Sequence, residues 1–328
     1  MTSKQALPTL AAGIVFLMQA AAPLPAQDYP NRPVTLVVSY AAGGGLDVLG
    51  RMLAQRLSDR LGRPFVVDNR PGAGTVIGAT SVVKAAPDGY TIMLGTSSAY
   101  AINVTLHKAL PYDPARDFAP VALVSNAPFL LLVNPAQPIH SVADLIALAK
   151  EKPGQLSYGS AGPGSPQHLS MELFKSMTGI DLVHIPYRGD NPAVTDLLTG
   201  HTATQFAEPT PVLQLLRSGK LRALGLSATS RMPTAPEIAP LAEAGVPGFD
   251  FVSWQMIVAP AGTPRDIVEK LHTEIKAVLD LPDIKAEFAR TGRISVDYPS
   301  VDALKTFMQA EIVRLGKVVE QAGIARSQ

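Results

Sequence analysis

Two glycine-rich segments carry backbone chemistry that could hold a ligand. Each follows an apolar run and precedes an amphipathic pattern, an arrangement that directs backbone N–H groups and a helix N-terminus toward an anion. The first contains Gly43-Gly44-Gly45 and reaches Asp47, and the second runs from Tyr158 to Ser165 as Tyr-Gly-Ser-Ala-Gly-Pro-Gly-Ser. Together they predict one anion-binding cleft with a loop on each side, although three glycines also suit a simple tight turn.

The patterns of nucleotide-binding and hydrolytic sites are incomplete in these segments. Val48 stands where a dinucleotide fingerprint that starts at Gly43 requires glycine, and no phosphate-loop Gly-Lys-Ser/Thr follows. The run Gly162-Pro-Gly-Ser-Pro166 lacks the last glycine of a nucleophile elbow. His168 follows on the same predicted helix, for which Ser165 is equally suited as the N-terminal cap. We therefore expect no enzymatic activity, and an uncharacterised hydrolase is the alternative class.

The composition excludes several further classes of function. The 328 residues correspond to about two domains, and 47% hydrophobic against 17% charged residues is typical of a packed globular protein. The 28 basic and 27 acidic residues provide no basic field, so no nucleic-acid partner is expected. Cysteine is absent and the six histidines form no i, i+4 ligand pair, so we expect neither a metal nor a cofactor.

The N-terminus predicts export from the cytoplasm. Lys4 precedes the apolar run Leu10–Met18, and small residues follow as far as Ala26. This is the pattern of a secretory signal peptide over residues 1–26, and nine apolar residues are too few for a membrane span, which needs about 20. We expect cleavage near Ala26 and a soluble mature protein.

The elements that position the two loops follow an alternating α/β pattern. Short apolar runs alternate with helical patterns, as in βαβ units that form a mostly parallel sheet. Helix starts are predicted at Ser165-Pro166, Asn191-Pro192 and Thr263-Pro264, and a capping box is predicted at Ser141 with Asp144. Strands are predicted at 33–39, 65–68, 91–94, 129–133, 182–185, 203–206, 221–226 and 255–258, a helix from Asp47 to Leu61 stopped by Gly62, and three closing helices at 264–279, 282–290 and 301–321. Turns near 120–128 and 245–250 are the expected crossings into and out of a second domain.

A series of ordered motifs resembles one known family. The chain is similar to the Bug-type periplasmic solute-binding proteins of the tripartite tricarboxylate transporter family over nearly its whole mature length. The motifs are the glycine run with Asp47 and Arg51, Asn69-Arg-Pro-Gly-Ala-Gly74, Pro87-Asp-Gly-Tyr-Thr91, Tyr112-Asp-Pro, the loop Tyr158–Ser165 with His168-Leu169, Pro186-Tyr-Arg-Gly189, Ser218-Gly-Lys-Leu-Arg-Ala-Leu224 and Ala259-Pro-Ala-Gly-Thr-Pro264.

This resemblance implies a fold and a function. The fold is a two-lobed α/β Venus flytrap of the type II periplasmic-binding-protein class, with lobe 1 formed by residues 27–125 plus 251–328 and lobe 2 by residues 126–250. The function is that of a monomeric periplasmic receptor, which binds a small organic acid between the lobes. It then presents that acid to integral-membrane permease subunits or, alternatively, to a sensor.

The resemblance also implies which loops hold the carboxylate. The loop Ala41–Asp47 would do so from one lobe and the loop Ser160–Ser165 from the other, through amides and hydroxyls. Ser39 and Ala42 stand where the family commonly carries prolines, so this chain departs from the family in the first loop. The residues expected at the ligand are Ala42, Gly43, Gly44 and Asp47 in the first loop, and Ser160, Gly162, Gly164 and Ser165 with His168 in the second.

Side chains at other strand and helix ends are additional candidates. Ser97 and Ser98 follow a buried strand beside Thr96 and could donate hydroxyls, or they could only cap a turn. Arg188 and Asp190 precede a helix and could reach the far end of the solute, although charged turn residues are more often solvated.

Two further candidates follow a predicted strand at 203–206. Glu208 is suited to accept a hydrogen bond from a ligand hydroxyl or ammonium group, or it could only begin the next helix. Phe206, together with Tyr40 and Tyr100, could wall an aromatic ring, although such residues at strand ends usually belong to the core.

Overall fold

The computed structural model describes residues 29–328, which form two β-sheets flanked by helices. The predicted signal peptide lies outside these residues. The strands are β1 Val34–Val38, β2 Phe65–Asn69, β3 Thr91–Thr96, β4 Phe118–Pro128, β5 Leu130–Val133, β6 Ser157–Ser160, β7 Val183–Pro186, β8 Thr204–Ala207, β9 Arg222–Leu226, β10 Val252–Pro260 and β11 Ile294–Ser295. The helices are α1 Gly45–Leu61, α2 Val76–Val83, α3 Asn103–Leu106, α4 Pro114–Asp117, α5 Val142–Glu151, α6 Pro166–Thr178, α7 Asp190–Thr199, α8 Pro209–Arg217, α9 Arg265–Leu279, α10 Pro282–Thr291 and α11 Val301–Gln321.

The first sheet has six strands in the order β11-β4-β10-β3-β1-β2. β1 pairs in parallel with β2 and β3, whereas β10 runs antiparallel to both β3 and β4. The second sheet has five strands in the order β7-β6-β8-β5-β9. Here β6 pairs in parallel with β7 and β8, and β5 runs antiparallel to β8 and β9.

The α/β class and the two-sheet architecture agree with the sequence prediction, but both sheets are mixed rather than mostly parallel. The reason lies in the crossing. β4 passes directly into β5 of the second sheet with only Phe129 between them, and each of these two strands pairs antiparallel with its neighbours. The sequence did not predict β4, because Pro120 and Pro128 at its ends are typical of turns.

Ser227 joins the two places where the chain crosses between the sheets. The Phe129 N–H donates to Ser227 Oγ at 2.8 Å on the outward crossing. On the return, the Phe251 N–H donates to the Ser227 carbonyl oxygen at 2.9 Å. The predicted lobe boundary at 125/126 falls inside β4, and the one at 250/251 falls just before β10. The division at those residues stays a prediction.

Alternate residues of a strand point to opposite faces of its sheet, so the apolar core forms a separate layer on each face. Leu131 of β5 belongs to a layer that also contains Trp254 of β10 and Phe174 of α6. Its neighbours Leu130 and Leu132 belong to a separate layer on the other face of the second sheet. The shared layer fixes the two sheets to each other behind the cleft described below.

Two of the predicted helix starts are wrong, because α7 begins at Asp190 after the N-cap Gly189 rather than after Asn191, and Pro264 rather than Thr263 is the N-cap of α9. The other predicted caps are confirmed. Ser141 and Ser165 each accept a hydrogen bond from the backbone N–H three residues later, and Gly62 ends α1 with φ +66°. Asp144 closes no reciprocal box, because its carboxylate accepts from His140 N–H instead of Ser141 N–H. The three closing helices match the prediction to within one residue at each end.

Candidate ligand-binding cleft

A cleft of about 160 Å³ lies between the two sheets, beyond the carboxyl ends of their strands. Ligands of open α/β sheets bind at such strand ends. The first-sheet side contributes Tyr40, Ala41, Ala42, Gly44, Gly45, Leu46 and Thr96, and the second-sheet side contributes Ala161, Pro166, Gln167, Arg188, Gly189, Asp190, Asn191, Pro192, Glu208 and Pro211.

Four helices begin at the wall of this cleft. The first residues of α1, α6 and α7, which are Gly45, Pro166 and Asp190, line it directly, and α8 begins beside it after the N-cap Glu208. N–H groups in the first turn of a helix have no acceptor within that helix, and the helix dipole adds partial positive charge there. The cleft therefore favours an anionic group.

Asp47 organises the first loop from behind rather than facing the cleft. Its buried carboxylate accepts hydrogen bonds from Gly43 N–H at 2.8 Å, Arg51 Nε at 3.0 Å and Asn69 Nδ2 at 3.0 Å. Burial alone would raise the pKa of Asp47, but these hydrogen bonds outweigh it and hold the pKa below its ordinary value. Gly43 and Asp47 thus shape the loop, while Ala42 and Gly44 face the ligand space.

The polar groups of the second loop form hydrogen bonds with neighbouring groups of the loop and of the elements beside it. Ser165 Oγ accepts from His168 N–H at 3.2 Å as the cap of α6, and His168 Nδ1 accepts from Gly164 N–H at 3.2 Å. Ser160 Oγ lies 2.7 Å from His184 Nε2 and accepts from Gly162 N–H. None of the predicted residues Ser160, Gly162, Gly164, Ser165 and His168 lines the cleft. Their contact with a ligand stays a prediction, and the hydroxyl of Ser165 is engaged as the cap of α6.

The imidazoles of this loop are stacked in its interior. The ring centroids of His168 and His184 are 4.1 Å apart, and Tyr158 stacks on His184 at 4.9 Å. Burial lowers the pKa of both histidines to about 4, so both are neutral at pH 7. They serve the loop as neutral hydrogen-bonding rings.

Three other predicted residues lie behind the cleft. Ser97 Oγ is 3.3 Å from Ser253 Oγ, and Ser98 Oγ donates to the Gly164 carbonyl oxygen at 2.8 Å. Both serines are fully buried, and the second bond links the first-sheet side to the second loop. Phe206 stacks on Phe249 in the core and reaches no ligand space.

The acidic end of the cleft brings together residues distant in the sequence. Arg188, Asp190 and Glu208 all line it, and their predicted contact with a solute stays a prediction. Glu208 Oε2 lies 3.4 Å from Arg293 Nη2, and the same nitrogen donates to the Gly45 carbonyl oxygen at 3.0 Å. The side chain of Arg293 is 5% exposed, so this cation fastens the first loop to the start of α8.

Sequence reasoning missed two polar residues here. Gln167 occupies the second position of α6 on the cleft wall, and its buried Oε1 has no hydrogen-bond partner in the described part of the chain. Its place directly after Ser165-Pro166 is a signal that could have identified it. Arg293 follows α10 and gave no signal, because only the folded chain brings it to Glu208. Tyr40, considered as an aromatic wall, lines the cleft with its hydroxyl 3.4 Å from Thr96 Oγ1.

Two mixed sheets with a polar, anion-favouring cleft between them define a two-lobed solute-binding protein. Residues 49–324 match the family model described as the tripartite tricarboxylate transporter family receptor. The chain belongs to this family of receptors, and it is a binding protein rather than an enzyme. Within residues 29–328, no helix is long and apolar enough to cross a membrane, and no cluster of three His, Asp or Glu side chains could hold a metal.

Individual relatives resemble the chain over nearly its full length. Protein BugT of Bordetella pertussis is 39% identical over 304 residues, which cover 92% of this chain and 93% of BugT. The structure of R. palustris Rpa4515 with adipate has a TM-score of 0.87 and 40% identity, covering 91% of this chain and 99% of that one. MatC from Rhodopseudomonas palustris with bound malate has a TM-score of 0.84 and 32% identity, covering 89% and 100%.

Proposed function

We propose that this chain is an exported periplasmic receptor that binds a small organic carboxylate in the cleft and presents it to integral-membrane permease subunits. The observation that carries the proposal is the convergence of four helix starts on one cleft, because the positive ends of the helix dipoles suit an anion. The two relatives crystallised with adipate and malate support a carboxylate as the ligand class. A monomer with lobes divided at 125/126 and 250/251 is part of this proposal.

Binding should close the two lobes on the solute. The cleft walls come from both sheets, so a ligand that touches both binds the closed form more tightly and shifts the equilibrium toward it. Small-angle scattering should then record a smaller radius of gyration with a bound acid than without it. An unchanged radius would mean either that the receptor is already closed without ligand or that the site is confined to one lobe.

A melting-temperature screen tests the ligand class. The mature protein is mixed separately with adipate, malate, succinate, benzoate, neutral sugars and simple cations. A ligand at one hundred times its Kd stabilises the native state by about 2.7 kcal/mol, so a binding acid should raise the melting temperature by several degrees. Recovery of that acid unchanged distinguishes a receptor from a hydrolase. A dominant shift by a sugar, with none by any acid, would overturn the proposal.

A further inference from the structure

Asp190 presents an unused polar atom to the cleft. It is the first residue of α7, and its Oδ2 accepts a hydrogen bond from Glu208 N–H at 3.2 Å. Its other oxygen, Oδ1, is buried and has no hydrogen-bond partner within residues 29–328. A buried polar atom without a partner is costly, so Oδ1 is a position that a bound solute can satisfy.

The charges around Asp190 disfavour its ionised form. Glu208 carries a second carboxylate at the same end of the cleft, and Arg293 neutralises Glu208 rather than Asp190. Arg188 lines the cleft but is exposed to solvent. Burial raises the pKa of the Tyr40 phenol above its ordinary value, so this neighbour is neutral.

Burial, followed by the charge of Glu208, raises the pKa of Asp190 to about 8. The Glu208 N–H and the polar end of the nearby Gln167 side chain oppose this shift, but their effects are smaller. The positive end of the α7 dipole also opposes it. At pH 7 the carboxyl group is therefore mostly protonated. Since Oδ2 accepts a hydrogen bond, the proton belongs on Oδ1.

We propose that Asp190 in its neutral form donates a hydrogen bond from Oδ1 to a carboxylate oxygen of the solute, so that the receptor binds the anion only while it holds this proton. The inference rests on the carboxylate function proposed above. Asp190 becomes a residue that selects an ionised acid over an amine at this end of the cleft. No proton is transferred, because the solute is bound as the anion and the proton remains on Asp190.

Calorimetric titration tests this with whichever acid of the panel gives the largest melting-temperature shift. These acids are fully ionised at pH 7 and above, so any pH dependence in that range comes from the protein. Affinity should fall about ten-fold between pH 7 and pH 9, as the protonated fraction of Asp190 falls. At pH 8 the binding enthalpy should also depend on the ionisation enthalpy of the buffer. The slope of that dependence should correspond to the uptake of about half a proton for each ligand bound.

Three variants separate this role from a structural one. Asp190→Asn keeps a neutral donor, so it should bind within about three-fold of the wild type at pH 7, with no proton uptake and no loss at pH 9. Glu208→Gln removes the neighbouring charge and should move the affinity loss to lower pH. Asp181→Asn, an exposed carboxylate before β7, should keep the wild-type profile.

The outcomes distinguish the two proposals. If no acid binds the wild type, the proposed function fails and this inference fails with it. If an acid binds without pH dependence or proton uptake, only the inference is wrong. If amines bind and Asp190→Asn abolishes that binding, Asp190 is an anionic acceptor, and the inference is again overturned.

Discussion

The two glycine-rich loops at the cleft look alike in sequence but use their polar groups in opposite ways. In the first loop, Asp47 holds the backbone from behind, and Ala42 and Gly44 face the ligand space. In the second loop, the hydroxyls of Ser160 and Ser165 are engaged by the loop itself. The comparison teaches that a strand-to-helix glycine loop marks the location of a cleft, while its hydrogen bonds decide whether it touches the solute.

Asp47→Ala should have the largest effect. It leaves the Arg51 guanidinium and the Gly43 and Asn69 donors without their buried acceptor, at a cost of roughly 2–4 kcal/mol in the free energy of unfolding. Affinity should also fall, because the loop loses its shape. Denaturant unfolding and calorimetry measure both. Asp59→Ala, an exposed position on α1, should change stability by less than about 0.5 kcal/mol.

Gly44→Val and Gly43→Ala should separate binding from stability. Gly44 has φ −79°, which any residue adopts, and a Cβ there would meet only the Ala41 carbonyl oxygen at 3.5 Å. Valine should therefore lower affinity more than about ten-fold by filling the cleft mouth, with little change in melting temperature. Gly43 has φ +83° and open space around it, so alanine should cost about 1 kcal/mol of stability and leave affinity unchanged. Equal losses in both variants would contradict this division of roles.

Ser165→Ala should weaken the fold more than the binding. Loss of the α6 cap costs about 1 kcal/mol, whereas affinity should stay within about three-fold because the hydroxyl does not face the solute. Ser141→Ala removes the equivalent cap of α5, far from the cleft, and is the matched control for stability. A large loss of affinity in Ser165→Ala but not in Ser141→Ala would show instead that the second loop contacts the ligand.

The buried imidazoles of the second loop should make the free energy of unfolding depend on pH, an effect that is absent at pH 7 and appears only as the pH falls. The folded pKa of His168 and His184 is about 4, below the unfolded value near 6.5. The unfolded chain therefore binds more protons in this range, and stability falls as pH falls from 6.5 toward 4. Calorimetric scans from pH 7.5 to 4.5 should show a smaller fall for His184→Gln than for the wild type. His201→Gln, whose side chain is 73% exposed, should keep the full fall.

Local chemistry made much of the fold predictable. Caps such as Ser141 and Ser165, and the stop at Gly62, act within one helical turn, so their residue types indicate their positions. β6 was not predicted, because Gly159 within Tyr158-Gly-Ser160 is typical of a loop. Its strand conformation depends on pairing with β7 and β8, which are distant in the sequence.

The candidate site was predictable as a location but only partly as a set of contacts. Glycine runs and helix starts placed both loops at the cleft. The direction of a serine hydroxyl, however, depends on which partner folding brings to it, as with His184 for Ser160. The link from Arg293 to Glu208 joins residues 85 positions apart, and no spacing rule reaches that far.

The hydrogen bonds of Ser227 hold the two crossings side by side, which bears on whether the segment between them can be replaced. The whole stretch between Phe129 and Phe251 leaves and re-enters the first sheet at one point, where the two rings lie 6.3 Å apart. Segments whose ends lie side by side are the ones that tolerate excision, circular permutation and replacement. We therefore expect residues 130–250, which carry the second sheet, to be exchangeable between relatives as one unit when the apolar layer shared with the first sheet is kept.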